Sequence, residues 1–130
     1  MIVVDSSVWI DLFAGKHSKN TDILIKSVEN SDDICTCGLI MTEVLQGIRS
    51  DKEYDKVKNI LSGLIYLPIT KNMFTQASAI YRTIRKTGKT IRSPSDCIIA
   101  SICIGHEVNL LHNDKDFAII AQYTSLRIVK

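Results

Sequence analysis

The chain opens Met1-Ile2-Val3-Val4-Asp5-Ser6-Ser7-Val8-Trp9-Ile10-Asp11, and the reading of the fold turns on this stretch. Ile2, Val3 and Val4 form a short β-branched run that ends abruptly in an acid, as a buried strand does where it leaves a sheet. Directly after it, Val8, Trp9, Leu12 and Phe13 recur at helical spacing. A strand passes straight into a helix, with Asp5 at the junction.

The alternation continues along the chain. Asn20 to Asn30 repeats apolar positions at Ile23, Leu24 and Val28, a second helix. Ile34-Cys35-Thr36-Cys37 reads as a strand, and Gly38 releases it into a helix from about Leu39 to Ile48. Tyr54 to Leu64 is amphipathic, with Val57, Ile60, Leu61 and Leu64 on one side. Ile65–Ile69 is a brief strand carrying Pro68. Asn72 to Lys86 is a long helix with Met73, Ala77, Ile80, Tyr81 and Ile84 inward, stopped by Gly88. Ser93-Pro94 opens a helix whose body, Cys97–Ile104, is apolar nearly all round and belongs in the centre of a domain. Val108–Leu111 and Leu126–Val129 are the last two strands, with Asp114 and Asp116 flanking a turn between them. Strands alternating with helices define an α/β fold: one domain over residues 1–130, a parallel sheet with helices on both faces.

Composition excludes several classes. A chain of 130 residues, 45% hydrophobic and 23% charged, is an ordinary globule that buries roughly two-thirds of its unfolded surface without a disulfide or metal staple. The longest apolar stretch, Cys97 to Gly105, falls short of the ~20 residues of a membrane span, and no signal peptide is legible. The expected location is the cytoplasm. Cys35, Cys37, Cys97 and Cys103 show no paired spacing and read as reduced core residues; His17, His106 and His112 do not complete a zinc set.

Four acids stand out because each abuts an apolar element. Asp5 ends the first strand, and Asp114 lies just beyond Val108–Leu111. In an open parallel sheet, functional groups collect outside the carboxyl ends of the strands, so topology places both on one edge. Glu43, in the helix after the second strand, and Asp96, in the first turn of the buried helix, can face that edge. Each also has a structural reading. Asp5 suits an N-cap, and Ser93, Pro94 and Asp96 suit a capping box. If the four converge, mutual repulsion demands a counter-charge. An all-oxygen set without His or Cys points to Mg²⁺ or Mn²⁺. A cation so held lowers the pKa of bound water and neutralises charge on a scissile phosphate, with no covalent nucleophile required.

Val4-Asp5-Ser6-Ser7-Val8-Trp9-Ile10-Asp11, Glu43-Val44-Leu45-Gln46-Gly47-Ile48-Arg49, Thr90-Ile91-Arg92-Ser93-Pro94-Ser95-Asp96-Cys97-Ile98-Ile99-Ala100 and Leu111-His112-Asn113-Asp114-Lys115-Asp116-Phe117 follow one another over essentially the whole chain. In wording, order and spacing they resemble the four motifs of PIN-domain ribonucleases, and with this length most resemble VapC-type toxins of type II toxin–antitoxin operons. The resemblance implies a parallel sheet of about five strands and an endoribonuclease that leaves a 5′-phosphate and a 3′-hydroxyl. It makes Asp5, Glu43, Asp96 and Asp114 the catalytic, metal-binding acids, with Asp116 a fifth metal-binding acid. Ser7 and Asn113 would be supporting polar groups. A homodimer and an antitoxin that blocks the acidic groove are implied as well.

The near-neutral total of sixteen Lys and Arg against fourteen acids hides a segregation. Residues 56–95 hold no acid and the basic residues Lys56, Lys58, Lys71, Arg82, Arg85, Lys86, Lys89 and Arg92. The densest part, Arg82, Arg85, Lys86, Lys89 and Arg92, runs up to Asp96 and is read as an RNA-backbone contact, because phosphate contacts supply affinity and position. Two alternatives stay open at this level: a partner-binding module whose acids only cap and turn, and a Mg²⁺-dependent phosphotransfer domain. The second is disfavoured because Asp5-Ser6-Ser7 lacks the second Asp of a D-x-D pattern.

Overall fold

The computed structural model describes residues 1–130. The elements run β1 (Ile2–Val4), α1 (Ser6–Phe13), α2 (Lys19–Glu29), β2 (Ile34–Thr36), α3 (Gly38–Leu45), α4 (Asp51–Ser62), β3 (Ile65–Tyr66), α5 (Lys71–Lys86), α6 (Pro94–Gly105), β4 (Asn109–Leu111) and α7 (Lys115–Tyr123). The four strands form one parallel sheet in the order β3-β2-β1-β4. Successive strand residues point to opposite faces. Val3 and Val4, Cys35 and Thr36, and Leu110 and Leu111 are all buried, so helices cover both faces of the sheet centre. No helix is long and apolar enough to cross a membrane.

The expected α/β architecture is present, with two differences. The fifth strand is reduced to a single parallel bridge, Leu110 to Ile128, closed by Leu110 N–H to the Arg127 carbonyl and Val129 N–H to the Leu110 carbonyl, each 2.9 Å. The stretch read as a turn around Asp114 and Asp116 instead opens a helix. Asp114 is the N-cap of α7, its carboxylate accepting the Asp116 N–H, and Phe117 and Ile120 are buried at helical spacing. The helical pattern of Phe117 and Ile120 lies in a short segment between two expected strands, where a turn accounts for the same acids.

The long helices follow their periodicity. α5 buries Met73, Ala77, Ile80 and Ile84, leaves Tyr81 half-exposed where an inward position was expected, and ends before Gly88 at φ +88°. α6 buries seven of its twelve residues and packs against α5, α7, α3 and β4. A helix surrounded in this way holds its first turn rigidly, and that turn carries Asp96. All four cysteines are buried and free.

Ile99, on α6, is 1% exposed. Ile99→Ala should cost about 2–5 kcal/mol, read as a lowered urea midpoint. Ile60→Ala, on α4 and 41% exposed, should cost about 1 kcal/mol or less.

Candidate active site

β1 lies between β2 and β4, so the residue after its last position emerges at the middle of the sheet's carboxyl edge. That residue is Asp5. Its backbone N–H donates to the Leu111 carbonyl at 2.9 Å, which ties the start of α1 to the end of β4. The His112-Asn113-Asp114 segment is thereby held alongside. Asp5 does N-cap α1: its Oδ2 accepts the Ser7 N–H at 3.1 Å and the Ser7 hydroxyl at 2.6 Å. Its Oδ1 is buried and has no hydrogen-bond partner.

The capping box expected around Asp96 is not formed. Ser93 is the N-cap residue, but its side chain makes no capping bond and pairs instead with the Ser95 hydroxyl at 2.7 Å. Asp96 is 5% exposed, and its Oδ2 is buried without a partner. Carboxylate oxygens of Asp96, Asp114 and Asp116 all lie within 4.8 Å of one another. Glu43 approaches from the second turn of α3, where its Oε1 accepts the Ser6 hydroxyl at 3.3 Å.

Electrostatics joins the acids into one system. Burial pushes the Asp96 carboxyl up to about 8, with the charges of Asp114, Asp5, Asp116 and Glu43 adding to it. Burial likewise raises Asp5 above the usual carboxylate range, opposed by the Ser7 bonds and reinforced by Asp114. Glu43 is raised by burial and then by Asp5. Two buried carboxylate oxygens without donors, in an all-oxygen set under strong mutual repulsion, fit a hard divalent cation. Asp96, Asp114 and Asp116 are close enough together to hold it, and Asp5 and Glu43 are coupled to them through their charges.

Behind the acids lies a polar scaffold. The Ser7 hydroxyl accepts the Asn113 N–H at 3.0 Å. The Asn113 side chain turns away from the acid cluster: its Nδ2 donates to Asp11 at 2.9 Å and its Oδ1 accepts from Asn20 at 2.8 Å. Asn20 also donates to the His112 carbonyl at 2.7 Å, linking α2 to the loop after β4. His112 Nδ1 accepts the Asp114 N–H at 3.2 Å, and burial lowers its pKa, in keeping with a neutral ring. Sequence reasoning passed over Asp11 and Asn20. Asp11 lies four residues after Ser7 on one helix face, a signal that was available; Asn20 offered none.

The five basic residues divide. Arg82 and Arg85 flank a groove of about 490 Å³ between α5 and α6, lined by Phe74, Tyr81, Pro94 and Ile98, with the Arg85 guanidinium 5.7 Å from the Tyr81 ring centre. Lys86 is exposed in the last turn of α5. Lys89 is held against α7 by Gln122 at 3.1 Å and the Tyr123 ring at 5.2 Å. Arg92 alone reaches the acids, 3.8 Å from Asp114 and 3.6 Å from Asp116.

A parallel sheet with acids gathered at its carboxyl edge has known counterparts. The pattern that defines the PIN domain matches residues 2–123, and the chain belongs to that family. Within it, the chain is similar to VapC proteins: it is 33% identical over 129 residues to ribonuclease VapC11 of Mycobacterium tuberculosis, covering 98% of this chain and 96% of that one. In structure it resembles a toxin–antitoxin complex from Klebsiella pneumoniae, with a TM-score of 0.69, 19% identity and 91% of each chain covered. It also resembles Mycobacterium tuberculosis VapC20, a sarcin-ricin loop cleaving toxin, with a TM-score of 0.64, 13% identity, and 91% of this chain and 93% of that one covered. At such identities the structural likeness speaks for the fold.

Because the Asp96 pKa is raised, the metal-free folded state keeps, between the ordinary carboxyl value of 3.8 and about 8, a proton that the unfolded chain has already released. Its contribution to stability is present below that window and is lost as pH rises through it. In EDTA, Asp96→Asn should therefore converge with wild type only as pH falls below 3.8 and melt about 3–6 °C above it at pH 8.5, measured by differential scanning calorimetry.

Proposed function

We propose that the chain, acting as one domain over residues 1–130, is a metal-dependent endoribonuclease and the cytoplasmic toxin of a toxin–antitoxin pair. The observation that carries this reading is the Asp96 carboxylate: buried, without a hydrogen-bond donor on one oxygen, and gathered with Asp114 and Asp116 within 4.8 Å. The naming of its VapC relatives as ribonucleases supplies the substrate class.

Asp5, Glu43, Asp96, Asp114 and Asp116 hold Mg²⁺ or Mn²⁺ in this reading. When bound, such a cation acidifies water and neutralises charge on phosphate oxygens. The chain's own part is preorganisation. Ser7 fixes Asp5, Ser6 meets Glu43, and the Asn113–Asp11–Asn20 scaffold holds the loop that presents Asp114. Arg82, Arg85, Lys86 and Lys89 engage the RNA backbone away from the acids, along α5 and the loop that follows it. Hydrolysis breaks the bond between phosphorus and the 3′ oxygen, leaving a 5′-phosphate and a 3′-hydroxyl.

An antitoxin partner and a homodimer come with the family reading. Toxin–antitoxin complexes among the structural neighbours support the former. Exposed apolar side chains leave surface for both: Phe13, Val28 and Ile60 around one groove, Tyr66 and Phe74 elsewhere.

Asp5→Asn and Asp96→Asn should each abolish cleavage of total RNA while keeping a cooperative melt, and EDTA should silence the wild type. Full activity in either variant or in excess EDTA overturns the proposal. Replacing Arg85, Lys86 and Lys89 by Gln should weaken RNA binding and flatten its salt dependence by about one log–log unit per lost phosphate contact. An unchanged slope removes the basic arm from the footprint.

A further inference from the structure

Arg92 departs from the other basic residues in what it touches. Its backbone N–H donates to Asp116 Oδ2 at 3.0 Å, and Pro94 begins α6 two residues later, so its main chain is pinned beside the acids. Its side chain is not pinned in the same way. The guanidinium lies 3.8 Å from Asp114 Oδ1 and 3.6 Å from Asp116 Oδ2, beyond the roughly 2.7–2.9 Å of a strong charge-assisted hydrogen bond. The Arg92 side chain is 67% exposed, whereas those of Asp114 and Asp116 are 29% and 4% exposed. A fixed backbone thus holds a loosely paired, solvent-facing guanidinium at the rim of a crowded acid cluster.

Two requirements meet at this position. Without a divalent cation the acids need positive charge, and Arg92 is the one basic residue paired with Asp114 and Asp116. Once a cation occupies those carboxylates, their pull on a neighbouring guanidinium is weakened, and its planar donor fork is suited to a phosphate. Building on the metal-dependent reading above, we propose that Arg92 exchanges partners. It neutralises Asp114 and Asp116 in the metal-free protein and becomes a contact to substrate phosphate when a divalent cation takes its place. Arg92 is then not a constant member of the basic arm. Metal occupancy sets its availability to RNA, and it competes with the metal for the same oxygens.

The test compares wild type, Arg92→Gln and a charge-matched control, Lys58→Gln, whose lysine is exposed on α4. Isothermal titration of RNA-free protein with Mn²⁺ should show Arg92→Gln binding about three- to tenfold more tightly than wild type, with Lys58→Gln matching wild type. Anisotropy of a short single-stranded RNA should show the salt slope falling by about one in Arg92→Gln when Ca²⁺ is present and not falling in EDTA. Equal or weaker Mn²⁺ binding in Arg92→Gln overturns the exchange, as does an equal loss of slope in EDTA, which marks a constant RNA contact. If neither wild type nor Arg92→Gln binds Mn²⁺, the metal-dependent reading itself fails and takes this proposal with it. A cooperative melting transition in each of the three proteins confirms that the comparison is made between folded chains.

Discussion

Repulsion between carboxylates at the carboxyl edge of the sheet is the constraint around which the other parts are arranged. A parallel sheet brings the ends of β1 and β4 side by side, and each is followed by an acid-bearing junction. Left to themselves in water, such groups would separate or take up protons. The fold prevents separation: Asp5 is tied through Ser7, Asp114 is committed to capping α7, and Asp96 sits on a helix packed on several sides. What remains is a proton on Asp96, a guanidinium at the rim, or a metal ion. The guanidinium is visible in the structure, burial favours the proton, and the metal ion is the reading that the donor set supports.

How much of this was legible in the sequence depends on the range of the interaction. The strand-to-acid junctions at Asp5 and beyond Leu111, the buried body of α6 and most of the amphipathic faces of α4 and α5 are local patterns and read correctly. Ile60 and Tyr81, expected inward, lie at the edges of the α4 and α5 faces and stay exposed and half-exposed. Asp5 as an N-cap is equally local. The capping box at Ser93 failed because the Ser95 hydroxyl competes for Ser93 and the Asp96 side chain is drawn into the acid cluster, a long-range effect. α7 was passed over because Asp114 serves both as a cap and as a member of the site, and a turn explained the same residues. The weak fifth strand could not be judged from Leu126–Val129 alone, since its pairing rests on how Arg127 and Val129 meet Leu110.

The site residues divide in the same way. The acids carried a signal because carboxylates beside apolar runs are conspicuous. The scaffold that orients them carried little, since Asn20 and Asn113 lie far apart in the sequence and meet only after α2 folds back against the β4–α7 loop. Charge segregation singles out a basic stretch but treats five cations as equivalent. The structure separates them into a groove pair, an exposed lysine, a lysine held against α7 and an arginine at the acids.

The pairing of β1 with β4 has a consequence for the order in which the chain is made. β1 is the central strand and is synthesised early, yet it cannot gain one of its two neighbours until residues 109–111 exist. Asp5 therefore waits until Asp96 and then Asp114 have been synthesised before they can come beside it. A ribosome-bound fragment lacks the last acids and the strand that positions them. The acid cluster is complete only once β4 and the start of α7 have been made, so the fold itself ties the assembly of the site to its most distant parts.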